Sequence, residues 1–308
     1  MADIVITEFM DEAAIRAHLS AFDVHYDPTL VDEREALLAA LADARALIVR
    51  NRTQVRGALL EAAPGLKVVG RLGVGLDNID VEACKARDIA VFPATGANDL
   101  AVAEYVITAA LLLLRGAWFA SASVAAGEWP RQRLMGRELS GKQLGLIGYG
   151  AIARHTATRA GALGMRIAAY DPFLPAGHAA WTGVQRLALA ELLASSDVVS
   201  LHVPLTAETT HLIGSDALAR MKPDAILINA ARGRVVDEAA LIDALRGGRL
   251  GGAALDVFER EPVDAVAGRA FVGVPNLLLT PHIAGVTVES NVRVSEVTAQ
   301  AVAARLAE

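Results

Sequence analysis

The sequence predicts an α/β protein built from two doubly wound parallel-sheet domains, and three observations carry that prediction. Short apolar runs alternate with helix-patterned stretches along almost the whole chain. One strand, turn, helix and strand in succession, residues 144–171, contains a glycine-rich turn. The length of 308 residues exceeds that of one ordinary domain, and a hydrophobic fraction of 54% supplies two cores.

Taken in order, the first hundred residues predict strands at Ile4–Ile6, Val24–Tyr26, Ala46–Val49, Val68–Arg71 and 89–92, with helices near 13–19 and 33–41. This small parallel domain has no phosphate fingerprint of its own. Two of its loops follow strands: Arg50-Asn51-Arg52-Thr53, and Leu72-Gly73-Val74-Gly75-Leu76-Asp77-Asn78. Ligands of open parallel sheets bind beyond the carboxyl ends of strands, so each loop is a candidate wall of a substrate site. The N–H groups of Val74 and Gly75 can face an anionic substrate, or the glycines can simply make a tight turn. Arg50 and Arg52 are either anion ligands or solvated surface cations.

From Asp99 a long helix, beginning AVAEYVITAALLLLRG after Leu100, leads out of the first domain. Trp118, Trp129 and the RELSGKQLG turn then lead into the glycine-rich stretch, LGLIGYGAIARHTATRAGALGMRIAAYD. Gly148 permits a tight strand-to-helix turn. Gly150 lacks the Cβ that would hold a pyrophosphate away from the N–H groups opening the helix. Ala153 takes the third fingerprint position, where a small residue suffices for helix and strand to pack closely. Asp171 closes the second strand, where a carboxylate can accept from ribose hydroxyls and would repel a 2′-phosphate. Glycines at such turns can be purely structural, but here the strand, helix and terminal acid accompany them. The stretch predicts NAD in preference to NADP.

Alternation resumes with strands at Val198–Leu201, 225–229, 253–257 and 277–280, and a helix near 216–220. Asp237 is a good N-cap and Gly247 a good C-terminal stop for the helix between the second and third of these. A final helix, 288–306, follows the last strand and is expected to pack back on the first domain. The expected division is therefore 1–98 with 286–308, and 99–285.

Composition excludes several classes. A formal charge of −6 and a pI near 5.7 advertise no basic surface for nucleic acid. Cys84 is the sole cysteine, so no internal disulfide forms, and a small side chain inside a helix is its expected role. Asp3, Glu8, Asp11 and Glu12 stand where a secretory signal would carry cations and an apolar core. The longest apolar run, 106–114, falls short of the roughly 20 residues that cross a bilayer. A cytoplasmic protein with no membrane segment and no metal site is expected.

Three strand ends in the second domain carry groups a core would not choose: Arg232 in NAARG, the acids of DVFEREP, and His282 in LTPH. Alone, each has a bland reading as a surface cation, a turn acid or a loop histidine. Together they suit hydride transfer, in which the protein must hold a carboxylate, polarise a carbonyl and move one proton. Arg232 can clamp an α-keto carboxylate through its planar fork. His282 can exchange the proton of the 2-hydroxyl, and Glu261 beside it would favour and orient the imidazolium.

GLIGYGAIA with Asp171, LHVPLTAETTHLI, NAARGRVVDEAAL, ALDVFEREP and LTPHIAG, in this order, resemble the D-isomer-specific 2-hydroxyacid dehydrogenases, in particular their D-3-phosphoglycerate dehydrogenase branch. The resemblance implies a Rossmann nucleotide-binding domain, 99–285, beside a smaller flavodoxin-like substrate domain, with a cleft between them that closes. It implies the catalytic trio Arg232, Glu261 and His282. It implies NAD contacts at Gly148, Gly150, Ala151, Ile152, Asp171, His202, Val203, Pro204, Ala230, Ala231, Asp256, His282, Ala284 and Gly285. A homodimer built largely from residues 104–115 and the segment after them is also implied. Ala153 departs from the glycine of the fingerprint, and a chain ending at Glu308 has no room for the C-terminal regulatory domain that some relatives carry.

The trio reads only the 2-hydroxy-acid head, so specificity falls to the first domain and the partner subunit. By resemblance Arg50, Asn51, Val74, Gly75 and Arg232, with Arg131 across the dimer, bind substrate. That points to an acid with a second anion, such as 3-phosphoglycerate. ITEFMDEAAI, VRNRTQV and GRLGVGLDNID also resemble chains that oxidise sulfolactate, which is the principal alternative. Neutral-tailed acids such as lactate would leave those arginines unpaired. A different class, NAD-sensing corepressors, shares the fold and trio and works as a binding platform, but nothing here resembles an added peptide-binding extension.

Overall fold

The computed structural model describes residues 2–116, 118 and 120–308. The chain divides into two compact units, Met1–Asn98 with Val286–Glu308, and Asp99–Gly285.

The first unit contains β1 (Ile4–Ile6), α1 (Glu12–His18), β2 (Val24–Tyr26), α2 (Arg34–Ala40), β3 (Ala46–Val49), α3 (Ala58–Glu61), β4 (Val68–Arg71), α4 (Val81–Ala86) and β5 (Ala90–Pro93). Its five strands form a parallel sheet in the order β2-β1-β3-β4-β5. Both faces are covered, as an all-parallel sheet requires. Val5, Leu47, Val49 and Val69 point to one apolar layer, and Ile4, Ile6, Ala46, Ile48 and Val68 to the other. Alternation within each strand explains why these short runs are apolar throughout.

The second unit opens with α5 (Asp99–Arg115) and α6 (Ala120–Ala125), followed by β6 (Gln143–Ile147), α7 (Ala151–Ala162), β7 (Arg166–Tyr170), β8 (Gln185–Arg186), α8 (Leu189–Ser195) and β9 (Val198–Leu201). It continues through α9 (Ser215–Arg220), β10 (Ile226–Asn229), α10 (Glu238–Arg246), β11 (Gly252–Leu255), α11 (Ala265–Gly268) and β12 (Leu277–Leu279). The seven parallel strands run β12-β11-β10-β9-β6-β7-β8. The order reverses direction beside β6, between β9 and β7. That is the topological switch point at which open α/β sheets bind their ligands.

The last helix, α12 (Val288–Ala307), belongs to the first unit. Gly70 of β4 admits it: a Cβ there would lie 2.7 Å from the Cγ2 atoms of both Thr298 and Val302. Thr298 Oγ1 donates to the Arg71 carbonyl at 3.4 Å, and Ser295 Oγ accepts from Asp11 N at 3.0 Å. Asp237 caps α10 by accepting from Ala240 N at 3.0 Å, and Gly247 ends it. Cys84 is buried in α4, where burial first and Asp80 second push its thiol up.

Several boundaries differ from the sequence pattern. β5 starts one residue later than 89–92, because Ile89 is a buried apolar residue ahead of the strand. Helices α3, α4, α6 and α8 span four to seven residues, too few for a 3.6-residue period to register, and two-residue β8 is exposed and polar. β7 ends at Tyr170 rather than on Asp171, which turns back to accept backbone N–H groups.

Candidate active site

The glycine-rich turn has the shape its spacing predicts. Gly148 adopts φ +85°, and a Cβ there would lie 2.6 Å from the His202 carbonyl and 3.0 Å from Val203 Cγ1. The turn therefore packs against the His202-Val203-Pro204 segment, which His202 N anchors by donating to Ile147 O at 2.7 Å. Gly150 is the contrasting case: a Cβ there meets nothing within 4 Å. It is the N-cap of the 12-residue α7, which has no side-chain cap. The first N–H groups of a helix lack intrahelical partners and carry the positive end of its dipole, so Gly150, Ala151 and Ile152 offer an open anion cradle. Ala153 is fully buried, as the close helix–strand contact requires.

Asp171 stands beside this turn. One oxygen accepts from Tyr149 N at 2.9 Å, and the other from Phe173 N at 2.9 Å and Leu174 N at 3.1 Å. A carboxylate has about four acceptor positions, so capacity for ribose hydroxyls remains. An open cradle, an uncapped helix and an anchored acid fit an adenine dinucleotide. Burial pushes the His202 imidazole down to about 4, so this residue is neutral at physiological pH.

At the far side of the sheet a second set of contacts shapes the histidine loop. Asp256, 1% exposed, accepts from Thr280 Oγ1 at 2.6 Å and Ile283 N at 2.8 Å on one oxygen, and from Ala284 N at 2.7 Å on the other. Tyr105 from α5 lies 2.6 Å from Thr280 Oγ1. Because Thr280 donates to Asp256, the phenol is the donor in that contact. Burial holds Tyr105 up at about 12, so it keeps that proton. The Asp256 carboxyl is itself raised, first by burial, against the stabilising bonds of Thr280, Ala284 and Ile283. His282 N donates to the Asp256 carbonyl at 2.7 Å, and the residue sits at φ +57°, a left-handed backbone uncommon outside glycine. The loop thus aims the imidazole at a conformational cost.

His282 Nδ1 lies 2.7 Å from Glu261 Oε2, and Glu261 Oε1 accepts from Phe258 N at 2.9 Å. Burial raises the Glu261 carboxyl, but His282 and Arg232 outweigh it, and the net shift is downward. Glu261 is therefore an ionised acceptor at Nδ1, and Nε2 is the nitrogen left to face a ligand.

Arg232 follows β10. Asn229, fully buried, fixes that turn with both ends of its amide: Oδ1 accepts from Ala231 N at 3.1 Å and Nδ2 donates to the Arg232 carbonyl at 2.9 Å. Ala230 and Ala231 thereby form a small-residue shelf at the strand end. Gly233 is required by proximity, since a Cβ would come within 1.8 Å of the Phe258 carbonyl carbon. The arginine turn and the Glu261 turn are therefore in backbone contact.

In the first unit, Arg50 reaches Asn291 Oδ1 at 2.5 Å and the Phe9 carbonyl at 3.3 Å, with its guanidinium 5.8 Å from the Phe9 ring centre. Asn51 is exposed, and Arg52 pairs with Asp32. Val74 and Gly75 are half-buried, and among the described residues their N–H groups donate to no acceptor. Arg131 is exposed on the segment after α6. The proposed dimer segment includes residues 117 and 119, which lie outside the described residues.

Four positioning residues escaped the sequence reading: Asn229, Tyr105, Thr280 and Glu8. Glu8 is buried, and its carboxylate accepts from Arg50 N at 2.9 Å, Thr53 N at 3.0 Å and Arg52 N at 3.1 Å. An acid two residues past an apolar strand is the available signal. Among the described residues no group of His, Cys, Asp or Glu is arranged to hold a metal, and no helix is long and apolar enough to cross a membrane.

Comparison with known proteins adds to this geometry. Residues 107–284 match the family model described as D-isomer specific 2-hydroxyacid dehydrogenase, NAD binding domain. An (S)-sulfolactate dehydrogenase of Chromohalobacter salexigens is 57% identical over 299 residues, covering 97% of this chain and 96% of that protein. A D-3-phosphoglycerate dehydrogenase of Methanocaldococcus jannaschii is 40% identical over 97% of this chain, but the match spans only 56% of that longer protein. The structure of D-lactate dehydrogenase from Aquifex aeolicus, complexed with NAD and lactic acid, superposes with a TM-score of 0.86 at 29% identity. That alignment covers 99% of this chain and 95% of the other.

Proposed function

Because the chain belongs to the D-isomer-specific 2-hydroxyacid dehydrogenases, NAD-dependent oxidoreductases acting on a CH–OH group, we propose that Arg232, Glu261 and His282 catalyse oxidation of a small 2-hydroxy acid bearing a distal anion, and that this acid is a sulfolactate. The observation that carries the catalytic assignment is the His282 Nδ1 to Glu261 contact of 2.7 Å, on a strained loop that Asp256 braces from beneath.

Bound NAD supplies the hydride acceptor. Arg232 receives the substrate carboxylate through its fork and polarises the oxygen on C2. His282, oriented at Nδ1 by Glu261, takes the C2 hydroxyl proton at Nε2 as that oxygen becomes a carbonyl, and returns it in the reductive direction. Asp171, Gly150 and the start of α7 hold the dinucleotide. Arg50 reads the distal anion: burial lowers its pKa, yet a guanidinium so far above neutrality stays cationic. The full-length likeness to a sulfolactate dehydrogenase favours a sulfonate over a phosphate at that position. 3-Phosphoglycerate is the second reading, supported by relatives at 40% to 42% identity. The same proposal includes a cytoplasmic location and a homodimer, the latter supported by the exposed apolar side chains Leu111, Val124, Trp129 and Met135 along α5 and the segment beyond it.

The test is NADH formation at alkaline pH on both sulfolactate enantiomers, 3-phosphoglycerate, D-glycerate and D-lactate. The strongest response is expected from a sulfolactate. A preference for 3-phosphoglycerate would select the second reading, and turnover confined to monoanionic acids would overturn the distal-anion assignment. His282→Asn is expected to lower kcat by about 100-fold or more while NADH binding, read by fluorescence, is kept. Wild-type turnover in that variant would refute the proton-transfer role.

A further inference from the structure

Glu261 is held by more than its own hydrogen bonds, and the residues that hold its turn lie outside the trio. Glu238, the first residue of α10, accepts from Glu259 N through Oε1 at 2.6 Å. Glu259 Oε1 in return accepts from Glu238 N at 3.1 Å. Each carboxylate thus takes the other residue's backbone N–H, across a sequence separation of 21. One of the donors satisfied is among the helix-opening N–H groups that have no intrahelical partner.

From this geometry we propose that Glu238, through its reciprocal bond with Glu259, is a positioning residue that sets where the Glu261 carboxylate meets His282. The inference rests on the catalytic reading of Glu261 and His282 given above.

Consecutive N–H groups of one turn are each claimed by a carboxylate. Phe258 N goes to Glu261 and fixes its rotamer, and Glu259 N goes to Glu238 and fixes the turn itself. The same Phe258–Glu259 backbone is the surface on which Gly233 rests, so it also locates Arg232. A shift of this turn would move the proton-handling pair and the carboxylate clamp together.

The charges in the cluster make the backbone bonds necessary. Glu238, Glu259 and Glu261 repel one another, with Asp256 a further acid near His282. The groups facing them are the Arg232 guanidinium and the His282 imidazole near Glu261, and the imidazole of His211, whose Nε2 lies 3.2 Å from Glu259 Oε1. Arg260 on the same turn pairs with Asp264 at 3.5 Å, on the exposed side. Like charges left to themselves would splay the turn open. The backbone donors oppose that repulsion by giving each carboxylate a fixed partner.

The test needs an acceptor at position 238, so the informative pair is Glu238→Ala and Glu238→Gln. The amide of Gln keeps a carbonyl oxygen for Glu259 N and removes the charge. Imidazole titration of His282 in the NAD-free protein is followed by NMR, its signal assigned by its absence in His282→Asn. Turnover of sulfolactate with NAD is measured in parallel. Glu238→Ala is expected to lower kcat at least tenfold with KM for NAD unchanged. Its His282 titration midpoint should move below wild type, toward that of Glu261→Gln, while Glu238→Gln stays near wild type. A folded Glu238→Ala protein whose midpoint and kcat match wild type, with only its Tm lowered, would show a merely structural contact and overturn the proposal. Should Glu238→Ala fail to fold, Glu238→Asp, one methylene shorter, is read the same way: a moved midpoint supports the inference and an unmoved one overturns it. An unmoved midpoint in Glu261→Gln would instead strike down the catalytic pair on which the inference rests.

Discussion

Two turns in this molecule gather backbone N–H groups beyond the ends of parallel strands, and they are finished in opposite ways. At the start of α7 the N-cap is a glycine with no side-chain acceptor, and the space over it is open. In the Arg50–Thr53 loop the corresponding donors are already spent: one buried carboxylate, Glu8, takes the N–H groups of Arg50, Arg52 and Thr53. The first turn leaves its backbone donors open to an anion. The second fills its backbone site internally, so that only side chains on long stems are left to meet a ligand. Backbone donors suit a ligand group held in one fixed pose, whereas arginines can be exchanged to change a substrate.

Converting the open turn into the filled kind gives the largest expected effect. In Gly150→Asp the new carboxylate would accept from the helix N–H groups. It should stabilise the ligand-free protein by only about 0.3 kcal/mol as an N-cap, since glycine is itself a tolerated cap. It should also weaken NAD about 100-fold by occupying and repelling the pyrophosphate site. Thermal denaturation and NAD titration check the two signs together; unchanged NAD affinity would mean that the cradle is elsewhere.

The reverse conversion, Glu8→Ala, strands three donors. With about 1–3 kcal/mol for an unmet buried group, partly relieved by water at the loop surface, roughly 2 kcal/mol of stability is expected to go. That corresponds to a fall in Tm of about 4–8 °C. KM for the dianionic acid should rise about tenfold as Arg50 loses its footing, with kcat nearly constant. A variant that kept both Tm and KM would remove the distinction between the two turns.

The smallest effect concerns a carboxylate that shares features of both. Glu261 accepts a backbone N–H, as Glu8 does, but turns its other oxygen to the His282 imidazole. Its folded pKa is depressed, so its ionised form contributes stability above its unfolded value, and that contribution is lost as pH falls through the folded one. The Tm advantage of wild type over Glu261→Gln should therefore be present at pH 7 and shrink only as the pH falls below the ordinary glutamate range. An advantage independent of pH would indicate that packing, rather than charge, holds the residue.

What could be read from the chain was local. The GYG turn, its helix and Asp171 lie within 30 residues, and each strand end of the trio is marked by a charged residue breaking an apolar run. What could not be read was made by distance. Glu8 meets its donors 42 to 45 residues away, and Tyr105 meets Thr280 across 175. No periodicity announces such pairs, because each partner alone resembles a surface residue. Asn229 is hidden differently: it ends an apolar strand and looks like its boundary, although its amide shapes the turn that carries Arg232. The short helices escaped for want of length.

The discontinuity of the first unit bears on synthesis. Its sheet is complete once Pro93 has been made, but the cover for one face, α12, is encoded almost 200 residues later. The second unit is continuous between them and can condense as soon as it emerges. During that interval Gly70 and its apolar neighbours on β4 wait uncovered for Thr298 and Val302. Nascent chains in this state expose a sticky face for as long as translation of the second unit takes, about 10–40 s at ordinary elongation rates. The order of maturation therefore runs against the order of the gene: the half made first is the half finished last.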